Sequence, residues 1–177
     1  MTGHDVEDDP ALPIIDVEAS GFGRGSYPIE IGVALPSGRG RCFLIRPEDD
    51  WIHWDPRAAS LHGLSRSLLD EKGLPVCEVA RALNELLDGS VVYTDAWGMD
   101  SSWIALLYER AGILQRFRIE TLATLLDDTR KASWTQLKAE ARAEMRLERH
   151  RASADALVLQ LALRRAGVTA KFLRGPS

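Results

Sequence analysis

Cysteine is scarce in this 177-residue chain: Cys42 and Cys77 are the only two, and their spacing fits neither a zinc site nor a disulfide framework. Both read as small buried hydrophobes of a protein kept in a reducing compartment, the cytoplasm. Long apolar runs are missing as well; the most apolar stretch, residues 156–163, is far too short to span a bilayer. The first residues, MTGHDVEDDPALP, have neither the basic start nor the apolar core of a signal peptide. Residues 1–13 are therefore expected to form a flexible acidic tail ahead of a single domain over 14–177, a length that suffices for a substantial core. There is no basic excess either. The net charge of -4 argues against a surface that holds duplex DNA by phosphate contacts alone. It does not exclude nucleic acid, because divalent ions bound in an acidic cleft reverse the local sign. No internal repeat or low-complexity segment is present.

What the chain does have is an unusual opening stretch, residues 14–35, IIDVEASGFGRGSYPIEIGVAL. In an extended segment side chains alternate, so Asp16 and Glu18 share one face while Ile15 and Val17 share the other. Burying two like charges side by side costs several kcal/mol or more unless something positive neutralises them. A divalent cation with oxygen ligands would do so. Taken alone, such a pair is more often a solvated strand edge, so further ligands have to come from elsewhere in the chain. The glycines after it do not form a dinucleotide loop: Ser26 stands where the third glycine is required, and Pro28 leads into a strand instead of a helix.

Pro28 opens a second apolar run, PIEIGVAL, paired with the first as a hairpin, and residues 39–46 read as a third strand after the Pro36-Ser37-Gly38 turn. Trp51, Trp54 and Asp55-Pro56 mark a loop. Ser65 opens a short helix ended by Gly73, and Pro75 begins a stronger one with Val76, Val79, Ala80, Leu83 and Leu87 at helical spacing. Residues 90–94 form a fourth strand, Trp103 to Ala111 a helix, and residues 117–121 a fifth strand. Residues 122–126 and then Leu137, Ala141 and Met145 continue as helices, and a final buried helix runs over about 151–166. The layout is α/β, with a mixed sheet of about five strands, an antiparallel meander followed by parallel crossovers, flanked by helices.

Two further acidic positions stand out. Asp100 lies where the fourth strand hands over to its helix, and Asp155 lies in the first turn of the last helix, five residues after His150. An aspartate at a helix start is usually a cap or a dipole partner. Joined with Asp16 and Glu18, the set can instead supply four acidic ligands and a base to a two-metal phosphoryl-transfer site. Lys138, Arg142 and Arg146 recur at i+4 spacing and could track a phosphate backbone. Glu140, Glu144 and Glu148 recur in the same way, so an ordinary solvated face is expected there.

At this point the chain resembles the DnaQ-like 3′-to-5′ exonucleases of the ribonuclease H-like superfamily, in the DEDDh branch. The first motif is Asp16-Val17-Glu18-Ala19-Ser20-Gly21, followed by Pro28-Ile29-Glu30-Ile31-Gly32, and the third is His150-Arg151-Ala152-Ser153-Ala154-Asp155-Ala156. Leu61-His62-Gly63-Leu64 is similar to the family's His-Gly-hydrophobic loop. The second motif, residues 94–100, lacks the His-Asn often found upstream and leaves Asp95 as a rival to Asp100, which is preferred because it adjoins the helix after the strand.

The resemblance implies a ribonuclease H-like fold. It also implies hydrolysis of single-stranded DNA or RNA from the 3′ end with two divalent cations, Mg²⁺ or Mn²⁺. Asp16, Glu18, Asp100 and Asp155 would be the ligands and His150 the general base, histidine being the side chain that titrates near neutral pH. Ala19, Ser20 and Phe22 would meet the terminal nucleotide, with Phe22 open to two uses, stacking on a base or plugging the hairpin core. A homodimer is compatible with it. The competing expectations are a non-catalytic nucleic-acid or protein interaction module that keeps the fold, and a structural domain whose acidic residues are only caps.

Overall fold

The computed structural model describes residues 9–147 and 150–174. The expectations for residues 1–8 of the tail and for Glu148 lie outside the described residues. The expected meander forms first: β1 (Ile14–Ala19), β2 (Pro28–Ala34) and β3 (Gly40–Leu44) pair antiparallel in succession. β4 (Val91–Thr94) then joins β1 in parallel, and β5 (Arg118–Thr121) joins β4 in parallel, giving the order β3-β2-β1-β4-β5. This is the mixed five-stranded sheet expected from the sequence, an antiparallel meander joined to parallel crossovers.

Helices cover both faces. On one, Ile15, Val17, Ile29, Ile31 and Val33 pack against α3 (Val76–Leu87) and α4 (Trp97–Ala111). On the other, Ile14 and Ala34 pack against α6 (Ala152–Arg165), which lies beside α5 (Asp128–Met145). Strand alternation therefore turns Asp16 and Glu18, which keep step with Ile14, toward the α6 side. The cross-strand partners on that side are Gly32, opposite Asp16, and Glu30, opposite Glu18.

Several local expectations need correction. The Asp55-Pro56 pair opens a helix, α1 (Pro56–His62): Asp55 is its N-cap, accepting a hydrogen bond from the Arg57 N–H, and Pro56 occupies the first turn. α2 (Arg66–Lys72) follows as expected, capped by Ser65. α4 starts at Trp97, well before Trp103, and Leu122–Leu125 is a 3₁₀ turn instead of an α-helix. A short α7 (Ala170–Arg174) was not anticipated. Residues 9–13 are not tail, since Ala11 and Leu12 are buried and the Leu12 carbonyl accepts from Gln160 Nε2. Cys42 is not a core residue: it sits exposed on the edge strand, with its thiol donating to Glu30. Among the described residues no helix is long and apolar enough to cross a membrane.

Candidate active site

β1 and β4 run parallel, so their carboxyl ends meet at the same edge of the sheet, the usual place for a crevice in an α/β fold. Asp16 and Glu18 stand at the end of β1, and Asp100 stands in the first turn of the helix that follows β4. Asp100 is buried, and its carboxylate accepts a hydrogen bond from the Thr94 hydroxyl. That hydroxyl also accepts from the Ala96 N–H, so Thr94 fixes the direction of the Asp100 side chain.

The fourth carboxylate arrives on α6, and β2 docks that helix. Glu30, fully buried, receives Arg151 Nη2 at 2.7 Å, Arg151 Nε at 3.0 Å and the Ala152 N–H at 2.9 Å. Burial pushes the Glu30 carboxyl up, but these bonds and the Cys42 thiol more than offset it and hold it below the usual range. Beside it Gly32 lets the α6 backbone lie directly on the strand. Asp155, one turn along, then reaches over β1. Its Oδ1 accepts from Arg142 Nη2 at 2.5 Å, and its Oδ2 accepts from the His150 N–H at 3.0 Å, with His150 in the left-handed region at φ 57°.

Asp16, Glu18, Asp100, Asp155 and His150 thus line one cleft of about 290 Å³. Glu18, His150 and Asp155 each offer a ligand atom within 4.8 Å of the others. Burial, followed by repulsion from Asp100, Asp155 and Glu18, raises the Asp16 carboxyl well above its ordinary range. Burial first, then Asp155 and Glu30, pushes Glu18 up to about 7, and burial, opposed by the Thr94 bond, brings Asp100 to about 7 as well. Carboxylates stacked so that each resists ionising suit a cation that lets all of them ionise, and an oxygen-rich set with one imidazole suits a small hard divalent ion. The donor set therefore fits the expected metals.

The remaining expectations divide. Ala19 and Phe22 line the cleft. Phe22 is 70 % exposed and leans on Trp103 with ring centroids 6.1 Å apart, so it does not plug the core. Ser20 does not join them: it is buried, and its hydroxyl is engaged by His53 Nδ1 and the Tyr27 N–H. Asp95, the rival of Asp100, is exposed and ion-paired with Lys138 at 3.1 Å. The expectation of a solvated α5 face is also corrected, because Lys138 and Arg142 turn toward the acidic site. It is Glu140 and Glu144 that face away, toward Arg165.

Two site residues were absent from the sequence-derived set. Thr94 carries no sequence signal beyond its place at a strand end. His62 carried one, the His-Gly pair: it is buried in the cleft wall, its Nδ1 accepts the Leu64 N–H, and its Nε2 has no partner among the described residues. Because Nδ1 accepts, the proton of the neutral ring resides on Nε2.

No family model matches this sequence, and neither does any curated protein. Solved structures do. E. coli Exonuclease I in complex with a dT13 oligonucleotide superimposes with a TM-score of 0.69 at 14 % identity, over 93 % of this chain and 42 % of that one. A moderately thermophilic Exonuclease I from Methylocaldum szegediense gives 0.66 at 16 % identity over 88 % and 40 %. The zinc-ion-bound form of the E. coli enzyme with ssDNA gives 0.67 at 15 % identity, again over 88 % and 40 %. This chain spans about two-fifths of the length of these proteins, and what it shares with them is the fold, a mixed five-stranded sheet flanked by helices.

Proposed function

We propose that this chain is a metal-dependent 3′-to-5′ exonuclease that hydrolyses phosphodiester bonds of single-stranded DNA or RNA. The observation that carries the reading is the meeting of Asp16, Glu18, Asp100 and Asp155 with His150 in one cleft, three of the carboxyls raised by burial and mutual repulsion. Its likeness in fold to Exonuclease I structures solved with a dT13 oligonucleotide and with zinc and ssDNA supports the same direction. The end preference rests on the sequence resemblance.

Two divalent ions held by the four carboxylates would supply an activated water and offset the charge that develops on the phosphoryl and leaving oxygens. His150 takes the proton of the attacking water. Thr94 keeps Asp100 aimed, and the Arg142 and His150 N–H bonds keep Asp155 aimed. Phe22 stacks on the terminal base, tolerant of its identity. His62 backs the cleft wall, its Nε2 without a partner among the described residues.

The test is a panel of matched DNA and RNA oligonucleotides, single and double stranded, with Mg²⁺ or Mn²⁺. A 5′ label is expected to give a descending ladder and a 3′ label to leave in the first turnover, both stopped by EDTA. His150→Ala is expected to lower kcat about a hundredfold with substrate binding retained. A parent protein that cleaves no substrate under any divalent ion overturns the reading.

A second reading, a non-catalytic module on the same fold, has one observation in its favour. Arg142 on Asp155 and Lys138 on Asp95 already act as internal counter-ions. Metal titration separates the two: such a module shows no saturable divalent-ion binding that depends on Asp16.

A further inference from the structure

The cleft does not end at the acidic cluster. Asp16, His150 and Asp155 also form one wall of a second depression of about 460 Å³, whose other wall is the α5 face carrying Thr135, Lys138 and Arg142. That depression continues, through shared Asp95 and Lys138, into a third of about 350 Å³ walled by Leu122, Leu126, Lys131 and Trp134. From Arg142 back to Lys131 the helix rises about 16 Å. Three cations thus line a trough that begins at the proposed metal site and leads away from the Phe22 pocket.

We propose that this trough is the track for the strand upstream of the scissile bond, with backbone phosphates on Arg142, Lys138 and Lys131 and a base against Trp134; the proposal rests on the exonuclease reading. A positively charged groove with an aromatic platform is the usual means of holding an unpaired strand without regard to sequence. Trp134 is half-buried, and Lys138 Nζ sits 5.8 Å from its ring centroid, so platform and cation are adjacent.

The groups are available for this use. Lys138 is paired with exposed Asp95, and Lys131 lies 4.0 Å from fully exposed Asp128; pairs of this kind contribute little and exchange readily for a phosphate. Arg142 also lines the trough, about one-quarter exposed, with its Nη2 on Asp155 at the metal-site end. Once divalent ions occupy the carboxylates at one end, the remaining charge of the trough is positive. A local row of this kind lets a chain of net charge -4 hold a polyanion. The cations also follow one another on one helix face, 131, 138 and 142, as a continuous strand requires.

The test compares kcat/KM for a dinucleotide, which has one phosphodiester and no backbone phosphate upstream of it, with that for a single-stranded pentanucleotide. The parent is expected to prefer the longer substrate. Lys131→Glu and Lys138→Glu are each expected to cut that preference about fivefold or more, and each to flatten the dependence of log KM on log salt by roughly 0.7 for the pentanucleotide. Lys72→Glu, on α2, controls for total charge and leaves the preference as it was. Variants that keep the full length preference overturn the track, as does a Lys72→Glu effect of equal size. A parent that cleaves both lengths equally well overturns the track while the exonuclease reading stands. A parent that cleaves neither overturns the exonuclease reading and the track with it.

Discussion

Asp16→Asn is expected to abolish phosphodiester hydrolysis, by a factor of roughly ten thousand or more, and at the same time to make the metal-free protein melt at a higher temperature at pH 8. Both results follow from the same charge. Asp16 is half-buried among Glu18, Asp100 and Asp155, and each of Asp16, Glu18 and Asp100 holds its proton more tightly in the folded chain than in the unfolded one. Between the ordinary carboxylate range and about pH 7 the folded state therefore binds more protons, and stability falls as the pH rises through that window. Glu18, moved from 4.5 to about 7, accounts for about 3 kcal/mol of that loss once ionised. The groups repel one another and titrate as a set, so the individual contributions do not simply add.

An asparagine at position 16 keeps the shape and removes the central charge, which should recover about 1–3 kcal/mol above pH 7, several degrees in Tm. Tm measured in EDTA from pH 5 to 8 should fall steeply for the parent and less so for the variant. Millimolar Mn²⁺ should restore the parent at pH 8 by binding the folded state, and should do little for Asp16→Asn. A variant that still cleaves, or that shows the parent's pH slope and Mn²⁺ response, would sink the shared-site reading.

The strand that carries Asp16 was legible because alternation is a local property: Ile14, Asp16 and Glu18 share a face whatever lies opposite. The same holds for Asp155, whose five-residue distance from His150 puts the two on one helix start. The α1 helix was missed because Asp55-Pro56 serves equally as a loop signal and as an N-cap with proline in the first turn. The first turn of α4 was missed because Gly98 is a poor helix former, and the turn is held by contacts such as Trp97 Nε1 to the Ile119 carbonyl. The α5 face was unreadable for a deeper reason. Rows of Lys/Arg and of Glu at the same spacing are equivalent until the position of α6 decides which one meets the site. Ser20 carries a hydroxyl of the right kind at the right place in sequence, but Tyr27 and His53 claim it first.

Gly32→Ala is expected to be the most destabilising single methyl that can be added to the sheet. The φ angle at Gly32 lies outside the left-handed region, so an alanine meets no backbone strain of its own. The obstacle is steric: a Cβ there would stand 2.0 Å from the Ala152 carbonyl carbon and 2.1 Å from the Ser153 nitrogen. Both are backbone atoms at the start of α6, and no rotamer change moves them aside. The helix has to lift from β2, which breaks the Ala152 N–H bond to Glu30 and strains its ion pair with Arg151, leaving a buried carboxylate poorly compensated. Overpacking alone costs about 1–3 kcal/mol, and loosening a buried ion pair raises the expected loss to about 3–5 kcal/mol in urea unfolding.

Glu30→Gln, which keeps the volume but gives up the charge, should lose less than Gly32→Ala because the helix stays seated. The two variants also differ at the site. Asp155 and His150 ride on the start of α6, so lifting it moves both away from Asp16 and Glu18. Below its melting temperature Gly32→Ala should therefore show a smaller Mn²⁺-induced rise in Tm than the parent, whereas Glu30→Gln should keep most of it. An alanine at position 32 that leaves both Tm and the Mn²⁺ response unchanged would mean that α6 does not rest on β2 at this glycine, and the geometry that brings Asp155 to the cluster would have to be abandoned.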